Sequence, residues 1–187
     1  MTSVPGAPVT MKCHESMLYV ATGSSVVAID LRTMQKVIIP AVNRQKLYSF
    51  KIMPSKSLIC TGGNGSAMLW DIRRNQETLK SEPIAELDGH TGPVMFLHMD
   101  QYKIVTGGPK DSYVNVWEAD NGKRTNSLIC CSPQEASTSS GCAGLAVNGY
   151  QIVTASCGEE YGLLRLRDFT NATDPVVKSE DEHASKF

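Results

Sequence analysis

Gly89-His90-Thr91-Gly92-Pro93-Val94-Met95-Phe96-Leu97-His98-Met99-Asp100-Gln101-Tyr102-Lys103-Ile104-Val105-Thr106-Gly107-Gly108-Pro109-Lys110-Asp111-Ser112-Tyr113-Val114-Asn115-Val116-Trp117-Glu118 is the stretch that decides the fold. Short runs rich in β-branched and aromatic residues alternate with Gly, Pro and Asp, the pattern of strands joined by tight turns. Val94–His98 reads as a first strand (a), Lys103–Gly107 as a second (b) and Tyr113–Trp117 as a third (c). Asp120-Asn121-Gly122 then marks a hairpin, because Asn-Gly tolerates the positive φ that such turns need. Thr125–Cys130 follows as the fourth strand (d).

The same order recurs along the chain. Leu18-Tyr19-Val20-Ala21-Thr22-Gly23 leads to Ile29-Asp30, Leu58-Ile59-Cys60-Thr61-Gly62-Gly63 to Leu69-Trp70-Asp71, and Ile152-Val153-Thr154-Ala155-Ser156 to Leu166-Arg167-Asp168. The threonines Thr22, Thr61, Thr106 and Thr154 lie 39, 45 and 48 residues apart. The closing acids at 30, 71, 118 and 168 lie 41, 47 and 50 apart. Such periods belong to propeller blades or to helical arrays, and the strand composition excludes the arrays. From threonine to acid the gap grows from 8 to 10, 12 and 14 residues, and the added residues are expected to lengthen the b–c turns. The fold expected is all-β: β-propeller blades, about four four-stranded meanders.

The composition agrees. The 187 residues are 41% hydrophobic and 20% charged, which suits a packed chain and argues against wholesale disorder. A net charge of −1 leaves no footprint for nucleic acid or an acidic membrane. Aromatic residues make up only 6%, too few for a stacking platform for bases. No apolar run approaches the length of a membrane-spanning helix, and no basic-then-apolar leader opens the chain. The six cysteines, Cys13, Cys60, Cys130, Cys131, Cys142 and Cys157, form no Cys-x-x-Cys pair, so no zinc site is expected. Several lie in apolar runs where free Cys acts as a small hydrophobe, which fits a reducing cytoplasmic or nuclear setting.

Gly89-His90 ahead of strand a and Trp117-Glu118 closing strand c resemble the WD-repeat β-propeller family, whose unit runs from Gly-His to Trp-Asp. The resemblance implies a partial propeller over residues 1–170, with units at about 9–40, 44–88, 89–131 and 141–170. Residues 171–187 would be a short last strand at Val176-Val177 and a disordered polar tail. It also implies a hydrogen-bonded tetrad of His90, Thr106, Asp111 and Trp117. The second unit keeps Thr61 and Trp70, with Asn64 at the turn and Asn43 where His would sit. The fourth keeps Thr154 but has Arg167 in place of Trp, and the first has Ile29 there. Within the family, the third and fourth units look like the C-terminal blades of a plant F-box/WD-repeat protein. That likeness implies a substrate receptor of an SCF-type ubiquitin ligase, reaching a Skp1-type adaptor through an F-box upstream. Seven blades need roughly 290 residues. The chain is therefore expected to be the C-terminal portion of a longer protein or a shortened product, with a four-bladed ring or a self-assembling half-ring as alternatives.

Few reactive groups accompany the repeat. His14, His98 and His183 carry no partner pattern, and His90 reads as structural. No Ser-His-Asp or Cys-His arrangement stands out. Vicinal Cys130-Cys131 could be redox-active, with inert strand-end thiols as the default. Gly62-Gly63-Asn64-Gly65 lacks a following helix and reads as a turn rather than a phosphate cradle. Glu159-Glu160 is taken as a solvated turn. Ser132-Pro133 opens a polar loop through Ser140 that is a passive linker or a phosphorylation site.

The family resemblance places partner contacts on the rim, two at the approach to strand a and one before the turn Asp. These fall on Thr91, Pro93 and Lys110 in the third unit, on Arg44, Lys46 and Gly63 in the second, and on Ser139, Gly141 and Glu160 in the fourth. Arg44, Lys46 and Lys110 would make a basic patch for an acidic or phosphorylated protein segment. The expected function is a protein-interaction scaffold, non-enzymatic, with no cofactor, metal, nucleic acid or membrane. The alternatives are a generic WD-repeat scaffold unrelated to ubiquitination, and a propeller hydrolase with carboxylates along its channel. The expected inner strand Val94, Met95, Phe96, Leu97 carries no acid, which disfavours the hydrolase.

Overall fold

A computed structural model describes residues 3–40, 46–72, 82–131, 141–157 and 161–170, with the backbone alone at 37–40. The chain is a series of four antiparallel sheets, each a meander in chain order, as β-propeller blades are. The first holds β1 (Pro8–His14), β2 (Met17–Thr22), β3 (Ser25–Asp30) and β4 (Lys36–Pro40). The second holds β5 (Ser49–Met53), β6 (Leu58–Gly62), β7 (Asn64–Asp71) and β8 (Ala85–Pro93). The third holds β9 (Phe96–Met99), β10 (Lys103–Gly107), β11 (Tyr113–Glu118) and β12 (Arg124–Ile129). The fourth holds β13 (Cys142–Asn148), β14 (Gln151–Cys157) and β15 (Gly162–Asp168), three strands among the described residues.

Several boundaries differ from the sequence reading. Strand a of the third unit begins at Phe96, so Val94 and Met95 precede it. Val94 is nevertheless fully buried, because it plugs the seam beside the second sheet. Gly89 and His90 lie inside β8, the last strand of the second sheet, and do not open the third. A register shift between Asn64 and Ser66 lets β8 run on until Pro93 pairs with Asn64. The lengthening b–c hairpins also divide their extra residues differently. In the second unit they extend β7 to eight residues around a turn closed by Gly63 N–H on Ser66 O (2.9 Å). In the fourth they lengthen both strands to seven residues. Arg44, Asn43, the Ser132–Ser140 loop, Glu159-Glu160, Val176-Val177 and the tail lie outside the described residues.

The sheets stack because their strands are apolar on both faces. Between the first two sheets, Tyr19, Ala21, Val26 and Ala28 meet Phe50, Ile59, Met68 and Trp70. Between the second and third, Cys60, Leu69 and Leu87 meet Leu97, Ile104 and Trp117. Between the third and fourth, Val105, Val114, Val116 and Leu128 meet Cys142 and Ile152. Side chains of one strand alternate in direction, so Ile59 and Cys60 serve different cores. The first strands are neighbours in succession: β1 beside β5, β5 beside β9, β9 beside β13.

One backbone latch repeats at each seam. The residue after strand b accepts a bond from the segment leading into the next sheet: Leu47 N–H to Gly23 O (2.9 Å), Val94 N–H to Gly63 O (2.9 Å), Cys142 N–H to Gly108 O (3.1 Å). At Gly108 a Cβ would stand 2.2 Å from the Pro93 carbonyl oxygen, so only glycine allows that approach.

Candidate functional site

The third unit assembles the four side chains that the resemblance pointed to. Trp117 Nε1–H donates to Thr106 Oγ1 (2.8 Å), on neighbouring strands β11 and β10. Thr106 Oγ1 lies 2.8 Å from His90 Nε2, and His90 Nδ1 lies 2.8 Å from Asp111 Oδ2. With Trp117 as donor, one proton per link satisfies the row: Thr106 O–H donates to Nε2, and Nδ1–H donates to the carboxylate. The other carboxylate oxygen of Asp111 accepts from Thr91 N–H (2.7 Å) and is 3.0 Å from the Thr91 hydroxyl. All four members are buried. Burial raises the Asp111 carboxyl, but the bonds from His90 and Thr91 outweigh it and hold the group below the ordinary carboxylate range. The row ties the end of the second sheet (His90 on β8) to the third, so it is a structural clamp across a seam.

The other units keep fragments of it. Trp70 Nε1–H donates to Thr61 Oγ1 (2.9 Å), both buried. Asn64 opens β7 and is exposed. In the fourth sheet Arg167 fills the tryptophan position: its Nη1–H reaches Thr154 Oγ1 (3.4 Å), and its Nη2–H donates to the Ile129 carbonyl of the third sheet. A guanidinium there serves one buried threonine and the seam with the third sheet at once.

The rim residues sit where strands b turn into c. Thr91 Oγ1–H donates to Lys110 O (2.7 Å), so Thr91 braces the turn that carries Asp111. Lys110 is exposed, and its aliphatic stem lies over Gly92. Pro93 is half-buried at the end of β8. Lys46, exposed, stands 5.6 Å over the Tyr48 ring at the seam of the first two sheets. Arg44 and Glu160 lie outside the described residues. Thr91 and Lys110 are thus joined, whereas Lys46 belongs to a different seam.

The opposite ends of the strands carry a feature the sequence reading missed. Tyr102, Tyr150, Phe169, Val116, Ile152, Lys103, Thr125 and Asn126 line a cleft of about 380 Å³ between the third and fourth sheets. Tyr102 is 72% exposed and Tyr150 66%, one in each a–b turn. The turns are held by Asp100 and Lys103. Asp100 accepts from Tyr102 N–H and Lys103 N–H (2.9 Å each) and from Lys103 Nζ (2.6 Å). Lys103 Nζ also donates to Gly149 O in the next a–b turn (2.6 Å), which fixes the spacing of the two tyrosines. Burial raises the Asp100 carboxyl, but bonds from Lys103, Tyr102 and His98 bring it down to about 2. His98, 3.2 Å from Asp100, is held below its ordinary value, burial outweighing the carboxylate. Both tyrosines stand four residues before the repeated threonine, so aligning the units by Thr106 and Thr154 is the signal that finds them.

Residues 81–118 match the family described as WD domain, G-beta repeat. This is the unit that carries the full tetrad. The fold of the described residues is that of β-propeller blades. The computationally designed Ika8 protein superposes with a TM-score of 0.64 at 19% identity, over 84% of this chain and 44% of that one. A chain of the mitotic checkpoint complex superposes with a TM-score of 0.61 at 16% identity, over 81% and 43%. Among curated proteins, the kinesin-like protein KIF21B of Mus musculus is 28% identical over 92 residues, 47% of this chain and 5% of the relative. The kinesin-like protein KIF21A of Homo sapiens is 28% identical over 99 residues, 51% and 6%. The chain spans about a twentieth of the length of these relatives.

Proposed function

We propose that this chain is a protein-interaction scaffold of the WD-repeat type, a binding rather than a catalytic element. Partner binding centres on the cleft between the third and fourth sheets. The observation that carries the reading is the pair Tyr102 and Tyr150, exposed in equivalent turns of adjoining sheets and held apart by Lys103 over a largely apolar floor. Tyrosines that present area and a polar tip at little entropic cost are well suited to anchoring a peptide. The tetrad supports this indirectly by stiffening the third unit. The narrower receptor role in an SCF-type ligase, with its Skp1-type adaptor, draws no support from the fold or the relatives and forms no part of this proposal.

Selection of a displayed random-peptide library on the purified chain tests it. Enriched peptides are expected to share an apolar or aromatic anchor and to lose about tenfold or more in affinity with Tyr102→Ala plus Tyr150→Ala, the size of a modest hot spot. Enrichment of acidic peptides that depend on Lys46 and Lys110 and ignore the two tyrosines would move the site to the opposite rim.

A further inference from the structure

Two of the six cysteines, Cys130 and Cys142, share the core at the seam of the third and fourth sheets. Cys130 follows β12 and Cys142 opens β13; they are 1% and 0% exposed. Both belong to the core cluster of that seam, and their sulfurs reach the carbonyls of one cross-strand pair: Cys130 Sγ–H reaches Ala155 O (3.4 Å) and Cys142 Sγ–H reaches Gly144 O (3.1 Å). When Cys130 is ionised, the Cys142 S–H turns to it. Arg165 donates to the carbonyl of Cys130 itself and Arg167 to that of Ile129, which brings two cations to the Cys130 end of the pair.

The two thiols are therefore unequal. The Cys142 hydrogen bond lowers Cys130 against the effect of burial, with Thr154, Arg165 and Arg167 adding to it, to about 7. Cys142 is pushed up, because the same bond keeps its proton and burial disfavours its charge. One sulfur is a nucleophile near neutrality and the other a protonated partner. Sequence singles out vicinal Cys130-Cys131, but the pair lies past the end of β12, and the cysteine that shares the core with Cys130 comes from the next sheet.

We propose that Cys130 and Cys142 are a redox-active dithiol, oxidised by hydrogen peroxide to a disulfide that staples the third sheet to the fourth. The Cys130 thiolate attacks one peroxide oxygen. An S–O bond forms, the O–O bond breaks, and the departing hydroxide takes a proton as water. Cys142 sulfur then attacks the Cys130 sulfenic sulfur. The S–S bond forms as S–O breaks, and the leaving hydroxide carries off the Cys142 proton as a second water. Two thiols are oxidised and one peroxide is reduced. Cys130 lies just past the last residue of β12, so admitting a small oxidant needs only local opening of that end.

Hydrogen peroxide on the full chain, followed by alkylation and cleavage after Glu135, tests this by mass spectrometry. The expected product is one cross-link joining Cys130 to Cys142, kept in Cys131→Ser and lost in Cys130→Ser and in Cys142→Ser. It should form about fivefold more slowly at pH 6 than at pH 7, as the ionised fraction of a thiol titrating near 7 dictates. Oxidation confined to exposed Cys13 and Cys157, with Cys130 and Cys142 still alkylatable after unfolding, would overturn the proposal. So would a cross-link made through Cys131. Both outcomes are read on the native sequence, so neither depends on a variant folding.

Discussion

Thr106 is the residue on which the third unit turns, because its one hydroxyl serves two buried partners. Replacing it with valine keeps the shape and strands both Trp117 Nε1–H and His90 Nε2. Each stranded buried group costs roughly 1–3 kcal/mol. Thr61→Val strands Trp70 Nε1–H alone. Thr154→Val leaves Arg167 with the Ile129 carbonyl as acceptor. Urea midpoints of the three variants should therefore fall in the order Thr106 largest, Thr61 intermediate, Thr154 smallest. Equal losses would show that the hydroxyls matter only as packing. The tetrad was legible only through the family resemblance, since His90 belongs to the second sheet, Thr106 and Trp117 to the third, and Asp111 to the turn between β10 and β11. The arginine substitution was not, since its second acceptor comes from the preceding sheet.

Strands b and c were read nearly to the residue, because they are short apolar runs bounded by Thr-Gly and by an acid. Lys103–Gly107 is the same span in sequence and structure. The expected boundary between the second and third units at 88/89 falls inside a strand, because Gly89-His90 reads as a beginning while the ladder carries β8 past it to Pro93. At this scale the latch makes a prediction that separates two glycines in the same structural position. At Gly23 a Cβ meets nothing within 4 Å, whereas at Gly108 it meets the Pro93 carbonyl at 2.2 Å and Asp111 Oδ2 at 2.9 Å. Gly23→Ala should shift thermal stability by less than about 0.5 kcal/mol, and Gly108→Ala should cost about 1–3 kcal/mol through overpacking. A Gly108→Ala melting curve matching that of Gly23→Ala would mean the seam is looser than described.

Across the molecule, what sequence could not show is what lies between units. The cleft of Tyr102, Tyr150 and Phe169 and the Cys130–Cys142 pair both arise where separate sheets abut, and spacing along one strand says nothing of that. The period alone, by contrast, was enough to announce a stack of meanders, since a sheet apolar on both faces must bury both. The fourth sheet turns Leu164 and Leu166, 52% and 62% exposed, away from the third. Successive sheets are joined by one recurring latch. Amide hydrogen exchange reads it directly at Leu47, Val94 and Cys142, which bond the carbonyls of Gly23, Gly63 and Gly108. Slow exchange at all three, approaching that of β6 and β10, is the result the account predicts. Exchange at unprotected rates at these amides, with β6 and β10 still protected, would contradict it.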